Sequence, residues 1–174
     1  FLKAVGTRKP QLVGYNSFNA DLPIIVERSI IHGLNGFGFA QRPEKPWQGV
    51  DYFSNHNDYN VDLAPILGKW TNIPKLTEIA SLSGIPGKIG ISGQSVANLW
   101  LKGELKEIVN YNEFDAFTTH LLWARIAHFG DLLSDAQYEK EQLLIRNLLE
   151  REINEGREHL KRFITEWDRL SEII

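Results

Sequence analysis

The sequence predicts an α/β fold whose C-terminal half is rich in helices. Residues 11–16 form a short apolar run bounded by turn residues, a pattern typical of a buried strand. A helix opened by Pro23 follows directly and ends at Gly33. A strand that leads through a turn into a helix is the unit from which α/β layers are built. Long helical patterns over residues 104–129 and 134–174 supply the helices of the C-terminal half.

The other predicted elements are short. Residues 1–6 resemble the last turns of a helix that ends at a glycine, and residues 75–83 and 95–102 each predict a helix. Residues 61–63 predict either a second strand or the start of the next helix. Residues 35–60 show no period, and a loop of that length in a compact domain is usually functional or contains a short hairpin.

The C-terminal helix begins at a capping box and carries a regular apolar stripe. Ser134 precedes Gln137 by three residues, the spacing of a capping box, and Gly156 is a candidate break in the helix. The stripe consists of Leu160, Phe163, Ile164, Trp167, Leu170 and Ile174. We expect it to fold back on its own domain; the alternatives are pairing with a second copy of the chain and docking of a polymerase-like protein.

Composition narrows the class of protein. The 174 residues fit one domain, and 43% hydrophobic and 24% charged residues are ordinary for a globular chain. No apolar run is long enough to cross a bilayer, and no secretory signal opens the chain, so we expect no membrane partner. The absence of cysteine excludes disulfides, thiolate metal sites and a cysteine nucleophile. These features are compatible with a cytoplasmic protein, which is the location we expect.

The net charge limits how the chain can hold nucleic acid. A formal charge of −3 argues against a bulk electrostatic grip, because phosphate binding depends mainly on lysine and arginine. It leaves room for an enzyme that holds only a strand end, where bound metal ions supply positive charge. The chain also has no methionine, even at position 1, and opens on a helical end. We therefore expect further sequence ahead of Phe1.

The first candidate site lies in the long central helix. Tyr111 and Asp115 are four residues apart and share a helix face with Ile108, Thr118 and Leu122, so this stripe should be buried. A carboxylate on a buried stripe needs compensation, by a metal ion, an arginine or backbone N–H groups. The alternative to a metal site is that Asp115 pairs with a basic side chain or caps a neighbouring element.

The second candidate is Asp21, which has two interpretations. An aspartate just before a proline-started helix is a standard N-cap, and the local pattern alone favours capping. The same position follows the C-terminal end of a strand, where α/β folds commonly bind ligands. Asp21 is therefore a candidate for both roles.

The loop before the second strand combines aromatic and basic side chains. This is the mixture that single-strand binding proteins use. The residues are Arg42, Lys45, Trp47, Tyr52, Phe53, His56 and Tyr59. The favoured alternative is that the aromatic side chains only pin the loop to the body of the domain.

Two motifs give the chain a specific family resemblance. Residues 16–23, Asn-Ser-Phe-Asn-Ala-Asp-Leu-Pro, resemble the second motif of the DEDD 3′–5′ exonucleases, and residues 111–115 resemble the third motif in its tyrosine form, Y-x-x-x-D. Residues 79–122, with the turn Gly-Ile-Pro-Gly-Lys at 84–88, resemble the bacterial family predicted as 3′–5′ exonucleases related to the proofreading domain of family B DNA polymerases. The similarity extends to about Leu149.

The resemblance implies a fold and a site. It implies a ribonuclease H-like exonuclease domain over residues 1–149, lacking its N-terminal strands, and a C-terminal helical extension over residues 150–174. Asp21 and Asp115 would be metal ligands for two Mg²⁺ or Mn²⁺ ions, and Tyr111 would orient the attacking water or the scissile phosphate. The first motif of the family, D-x-E, has no counterpart here, so we expect it upstream of Phe1; without it, the chain should be inactive.

The resemblance also implies a substrate. The expected reaction is two-metal hydrolysis of phosphodiester bonds at the 3′ end of single-stranded DNA, with Asn16 and Phe18 as candidate contacts to the terminal nucleotide. RNA ends are an alternative substrate, because nothing in the sequence reads a 2′-hydroxyl. An inactive ribonuclease H-like module that binds nucleic acid or protein is the third hypothesis.

Overall fold

The computed structural model describes residues 1–54, 58–68, 72–87, 89–90 and 95–173. His56, Lys88 and Ile174, each named in a sequence prediction, lie outside these residues. The chain divides into two compact units, residues 1–73 and 74–174. No helix in the described residues is both long enough and apolar enough to cross a membrane.

The first unit contains a small parallel sheet and three helices. Helix α1 (Leu2–Arg8) leads to strand β1 (Leu12–Gly14), helix α2 (Asp21–Ile31), strand β2 (Asn60–Asp62) and helix α3 (Ala64–Leu67). The strands pair in parallel with Leu12 opposite Asn60, Val13 opposite Val61 and Gly14 opposite Asp62. The chain between them contains α2, as a crossover between parallel strands requires. The predicted strand at residues 11–16 and helix starting near Pro23 are confirmed.

The connection between α2 and β2 contains only short 3₁₀ turns at Phe37–Phe39 and Pro46–Gln48. The described residues of this connection contain no hairpin. The hairpin expected as one alternative for residues 35–60 is therefore not observed there. Of the two alternatives for residues 61–63, the strand is correct, since β2 covers Val61 and Asp62.

Helix α1 runs beyond the glycine at which it was predicted to end. Gly6 is buried inside the helix, where an added Cβ would lie 2.7 Å from the backbone nitrogen of Phe39. The glycine is needed because two backbone segments approach closely at this position. It does not end the helix. The helix ends at Lys9, whose φ of 48° is left-handed and whose N–H donates to the Val5 carbonyl.

The core of the first unit fixes the aromatic loop. Phe39 and Tyr52 are buried and stack with their ring centroids 5.5 Å apart, and the Tyr52 hydroxyl donates to the Pro10 carbonyl at 2.8 Å. Val5 and Leu22 complete this core. Tyr52 therefore pins the loop to the unit. For this residue, the structure agrees with the favoured alternative to nucleic-acid binding.

The second unit is helical. It contains α4 (Leu76–Leu82), α5 (Val96–Leu101), α6 (Leu105–Phe129), α7 (Asp135–Asn154) and α8 (Leu160–Ser171). The capping box is present, with the Ser134 hydroxyl accepting from the Gln137 N–H. The break at Gly156 is confirmed, since its φ of 102° separates α7 from α8. The predicted boundary between residues 149 and 150 falls inside α7, so the helix is continuous there; the assignment of the exonuclease domain to residues 1–149 stays a prediction.

Helix α8 folds back within this unit, as expected. Its apolar stripe is buried at Leu160, Phe163, Trp167 and Leu170. The Phe163 ring stacks on Phe114 of α6 at a centroid distance of 6.0 Å. The fold as a whole is mixed α/β and rich in helices; the ribonuclease H-like architecture stays a prediction, because only two strands are described.

Candidate active site

The predicted site residues divide between the two units. Asn16, Phe18 and Asp21 belong to the first unit, and Tyr111 and Asp115 belong to the second. That both sets act on one substrate stays a prediction.

Asp21 begins helix α2 without capping it. The N-cap position is occupied by Ala20, and no side chain caps the helix there. The capping interpretation of Asp21 is therefore wrong: its carboxylate sits one residue further along, at the first helical position, and is exposed. Partial burial raises the pKa of Asp21; its own backbone N–H opposes the shift, and the negative charge of Asp62 adds to it. Asp21 and Asp62 therefore repel one another electrostatically, an arrangement that a cation would relieve.

Asp62 was missed by the sequence argument. It ends strand β2, is 8% exposed, and its two carboxylate oxygens accept three backbone N–H groups. Oδ1 accepts from Asn16 at 2.7 Å and from Ala64 at 3.1 Å, while Oδ2 accepts from Phe18 at 3.1 Å. Two of these donors belong to the turn between β1 and Asp21. Asp62 thus holds in place the segment that carries the predicted contacts to the terminal nucleotide.

The turn itself has an unusual backbone conformation, which the hydrogen bonds to Asp62 stabilise. Asn16 adopts a φ of 58°, in the left-handed region that asparagine tolerates better than most residues. Gly14 is required by close approach, since an added Cβ would lie 2.5 Å from the Cβ of Ser17. The only sequence signal for Asp62 was its position at the end of a predicted strand, which does not distinguish a ligand from an anchor.

Tyr111 and Asp115 meet on one face of α6, as their spacing predicts. The Tyr111 hydroxyl donates a hydrogen bond to the Asp115 carboxylate. Burial raises the pKa of Tyr111 to about 12, and the hydrogen bond and the negative charge of Asp115 act in the same direction. Both side chains are half-buried, so the stripe is less buried here than expected and becomes fully buried further along the helix, at Thr118 and Leu122.

Two further contacts fix the helix around this pair. The buried Thr118 hydroxyl donates to the Pro86 carbonyl at 2.7 Å and ties the turn after α4 to α6. Glu113, between the two site residues in sequence, accepts from Arg157 and from His159, each at 2.6 Å. The described part of the Gly-Ile-Pro-Gly-Lys turn is therefore a structural support of α6.

The donor chemistry of these residues suits a hard divalent cation. Asp21 and Asp115 offer carboxylate oxygens, the ligands that Mg²⁺ and Mn²⁺ prefer. Within the described ranges, no three or more histidine, aspartate, glutamate or cysteine side chains gather into a group able to hold a metal. That Asp21 and Asp115 hold a metal stays a prediction.

The aromatic loop separates into pinned and exposed members. Tyr52 is fully buried, whereas the Trp47 side chain is 78% exposed. Arg42 lies over the Phe53 ring at 4.9 Å, and Lys45 over the Trp47 ring at 5.6 Å. Arg42 and Phe53 also line, together with Phe18, a cavity of about 610 Å³ in the first unit.

Comparison with known proteins gives one match. A sequence model of the family described as "Predicted 3'-5' exonuclease related to the exonuclease domain of PolB" matches residues 1–167. The matched residues include Asp21, Tyr111 and Asp115. No curated protein and no solved structure matches the chain.

Proposed function

The chain belongs to the family of predicted 3′–5′ exonucleases related to the exonuclease domain of PolB, and we propose that it removes nucleotides from the 3′ end of single-stranded DNA by metal-dependent hydrolysis. The observation that carries this proposal is the family match itself, which spans residues 1–167 and so includes both motif segments in order. The hydrogen bond between Tyr111 and Asp115 supports the roles assigned to the third motif.

The two aspartates are the proposed metal ligands. Asp21 is exposed at the start of α2 and Asp115 is half-buried on α6, so both are accessible to an ion or a substrate. Bound Mg²⁺ or Mn²⁺ would activate a water molecule and stabilise the leaving 3′ oxygen.

Tyr111 is proposed to act as a hydrogen-bond donor. A pKa of about 12 keeps its hydroxyl protonated at neutral pH, so it cannot serve as a general base there. A protonated hydroxyl can instead orient the attacking water or a phosphate oxygen. Asn16 and Phe18, held by Asp62, are proposed to contact the terminal nucleotide.

The test is digestion of a 5′-labelled single strand by the full polypeptide that contains this chain, with Mg²⁺ or Mn²⁺. A ladder that shortens from the 3′ end is expected, and it should be lost with chelator. Asp21→Asn and Asp115→Asn should each lower the rate by more than about 100-fold, since even outer-shell residues of metal sites cost about 10–100-fold.

Matched controls show whether a lower rate is specific to the site residues or follows the loss of any aspartate. Asp58→Asn in the first unit and Asp131→Asn in the second each remove one exposed aspartate and should leave the rate unchanged. The same assay with an RNA strand decides between the two substrates. Absence of shortening of either strand by the folded polypeptide would contradict the proposal and favour a binding module.

A further inference from the structure

Trp47 occupies an unusual position for a tryptophan. Its side chain is 78% exposed although it lies within a loop anchored at both ends by buried residues, Phe39 and Tyr52. An indole in water forgoes the apolar burial that its large surface would gain. Packing of the loop is already achieved by Tyr52, so it does not account for Trp47.

Each of two cations in this loop lies over an aromatic ring. The Lys45 ammonium is 5.6 Å from the centroid of Trp47, and the Arg42 guanidinium is 4.9 Å from that of Phe53. Neither cation has an ion-pair partner within the described part of the chain. Both are therefore available to phosphate, and the exposed ring of Trp47 offers a face to a base.

The loop also shares a cavity with the segment that leads to Asp21. Arg42, Phe53 and Phe18 line one cavity of about 610 Å³, within the size range of small-ligand sites. Phe18 is fixed there because its N–H donates to Asp62. A nucleotide in this cavity would have around it aromatic rings, the guanidinium of Arg42, the carboxylate of Glu27 and apolar side chains of α2.

We propose that residues 42–53 form a binding site for unpaired nucleotides, with a base stacked on Trp47 and a neighbouring nucleotide in the cavity lined by Arg42, Phe53 and Phe18. This inference rests on the proposed exonuclease function and names how that site would hold its substrate. Stacking on an aromatic ring tolerates any base sequence and requires an unpaired base, so the loop selects single strands over duplex.

The test measures binding without hydrolysis. Fluorescence anisotropy of a labelled oligothymidylate is recorded in the presence of chelator, with a blunt duplex of the same length alongside. Trp47→Ala should raise the Kd for the single strand about tenfold, within the range that loss of one base–aromatic stack produces, and leave duplex binding unchanged. Trp47→Phe should retain most of the affinity.

Two further variants sharpen the result. Trp100→Ala removes a tryptophan that is 65% exposed in the second unit and should not change the Kd. Lys45→Gln should make the slope of log K against log salt shallower by about 0.7, the value for one phosphate contact on a single strand. Thermal melting of each variant checks that the exposed substitutions leave the fold intact.

The outcomes distinguish this inference from the proposed function. An unchanged Kd in Trp47→Ala, or an equal loss of single-strand and duplex binding, would overturn the inference even if the polypeptide shortens DNA. A tenfold loss of single-strand binding in a polypeptide without exonuclease activity would support the binding site and contradict the enzyme.

Discussion

The backbone N–H of Asn16 donates to the Asp62 carboxylate across 2.7 Å, joining two residues 46 positions apart in sequence. This bond, with those from Phe18 and Ala64, places a buried carboxylate under the turn that leads to Asp21. The site segment of the first unit therefore depends on the end of strand β2.

Asp62→Asn should destabilise the protein. An asparagine offers one acceptor oxygen, and its amide group would face an N–H donor, so at least one buried N–H loses its partner. The expected cost is about 1–3 kcal/mol of unfolding free energy. Urea denaturation measures it, with Asp58→Asn, an exposed aspartate of the same unit, as the control. Equal stability of the two variants would show that the bonds to Asp62 contribute little.

Tyr111 should titrate well above an ordinary tyrosine. Its expected pKa is about 12 against an ordinary value of 10.0, and tyrosinate absorbance followed with chelator present should show the difference against Tyr111→Phe. In Asp115→Asn the pKa should fall, because the negative charge is removed, and remain above 10.0, because burial is retained. An unshifted titration in the parent chain would contradict the contact with Asp115.

The same shift has a consequence for stability at high pH. The folded state binds the Tyr111 proton more tightly than the unfolded state does. Its contribution is therefore fully present below pH 10.0 and is lost as the pH rises through about 12. Over this pH window, the loss of stability with rising pH, followed by circular dichroism, should be smaller in Tyr111→Phe than in the parent chain. Identical pH profiles of stability for the two proteins would contradict the linkage.

Thr118→Val should weaken the second unit by removing one buried hydrogen bond. Valine keeps the shape of the side chain but leaves the Pro86 carbonyl without its donor, at a cost of about 1–3 kcal/mol. Thr165→Val, at an exposed position of α8, is the control. Thermal unfolding compares the two, and a control variant as unstable as Thr118→Val would point to a general effect of valine on helices.

Phe163→Ala tests the return of α8 onto its own unit. The ring is fully buried beside Phe114, and truncation of a buried phenylalanine costs about 3–5 kcal/mol. Leu132→Ala, which truncates a side chain that is 78% exposed, should change stability little. A wild-type denaturation midpoint for Phe163→Ala would mean that α8 does not contribute to the folded unit.

Local pattern was sufficient for several of the elements and for one residue pair. The helices at Leu76–Leu82 and Val96–Leu101, the capping box at Ser134 and the break at Gly156 all follow from propensity and spacing, which act over a few residues. Tyr111 and Asp115 meet for the same reason, since a helix brings residues four apart onto one face. The family motifs were equally recognisable from the sequence, because each is a short run of consecutive residues.

What the sequence by itself determined is thus the α/β class, the order of the helices and the two motif segments, all set by contacts within a few residues. Only the tertiary structure decided that Asp62 anchors the turn at Asn16, that Gly6 lies inside α1 against Phe39, and that Tyr52 is buried while Trp47 is exposed. These outcomes depend on strand pairing and core packing between residues 30 or more positions apart, and no local pattern encodes which partners such residues find.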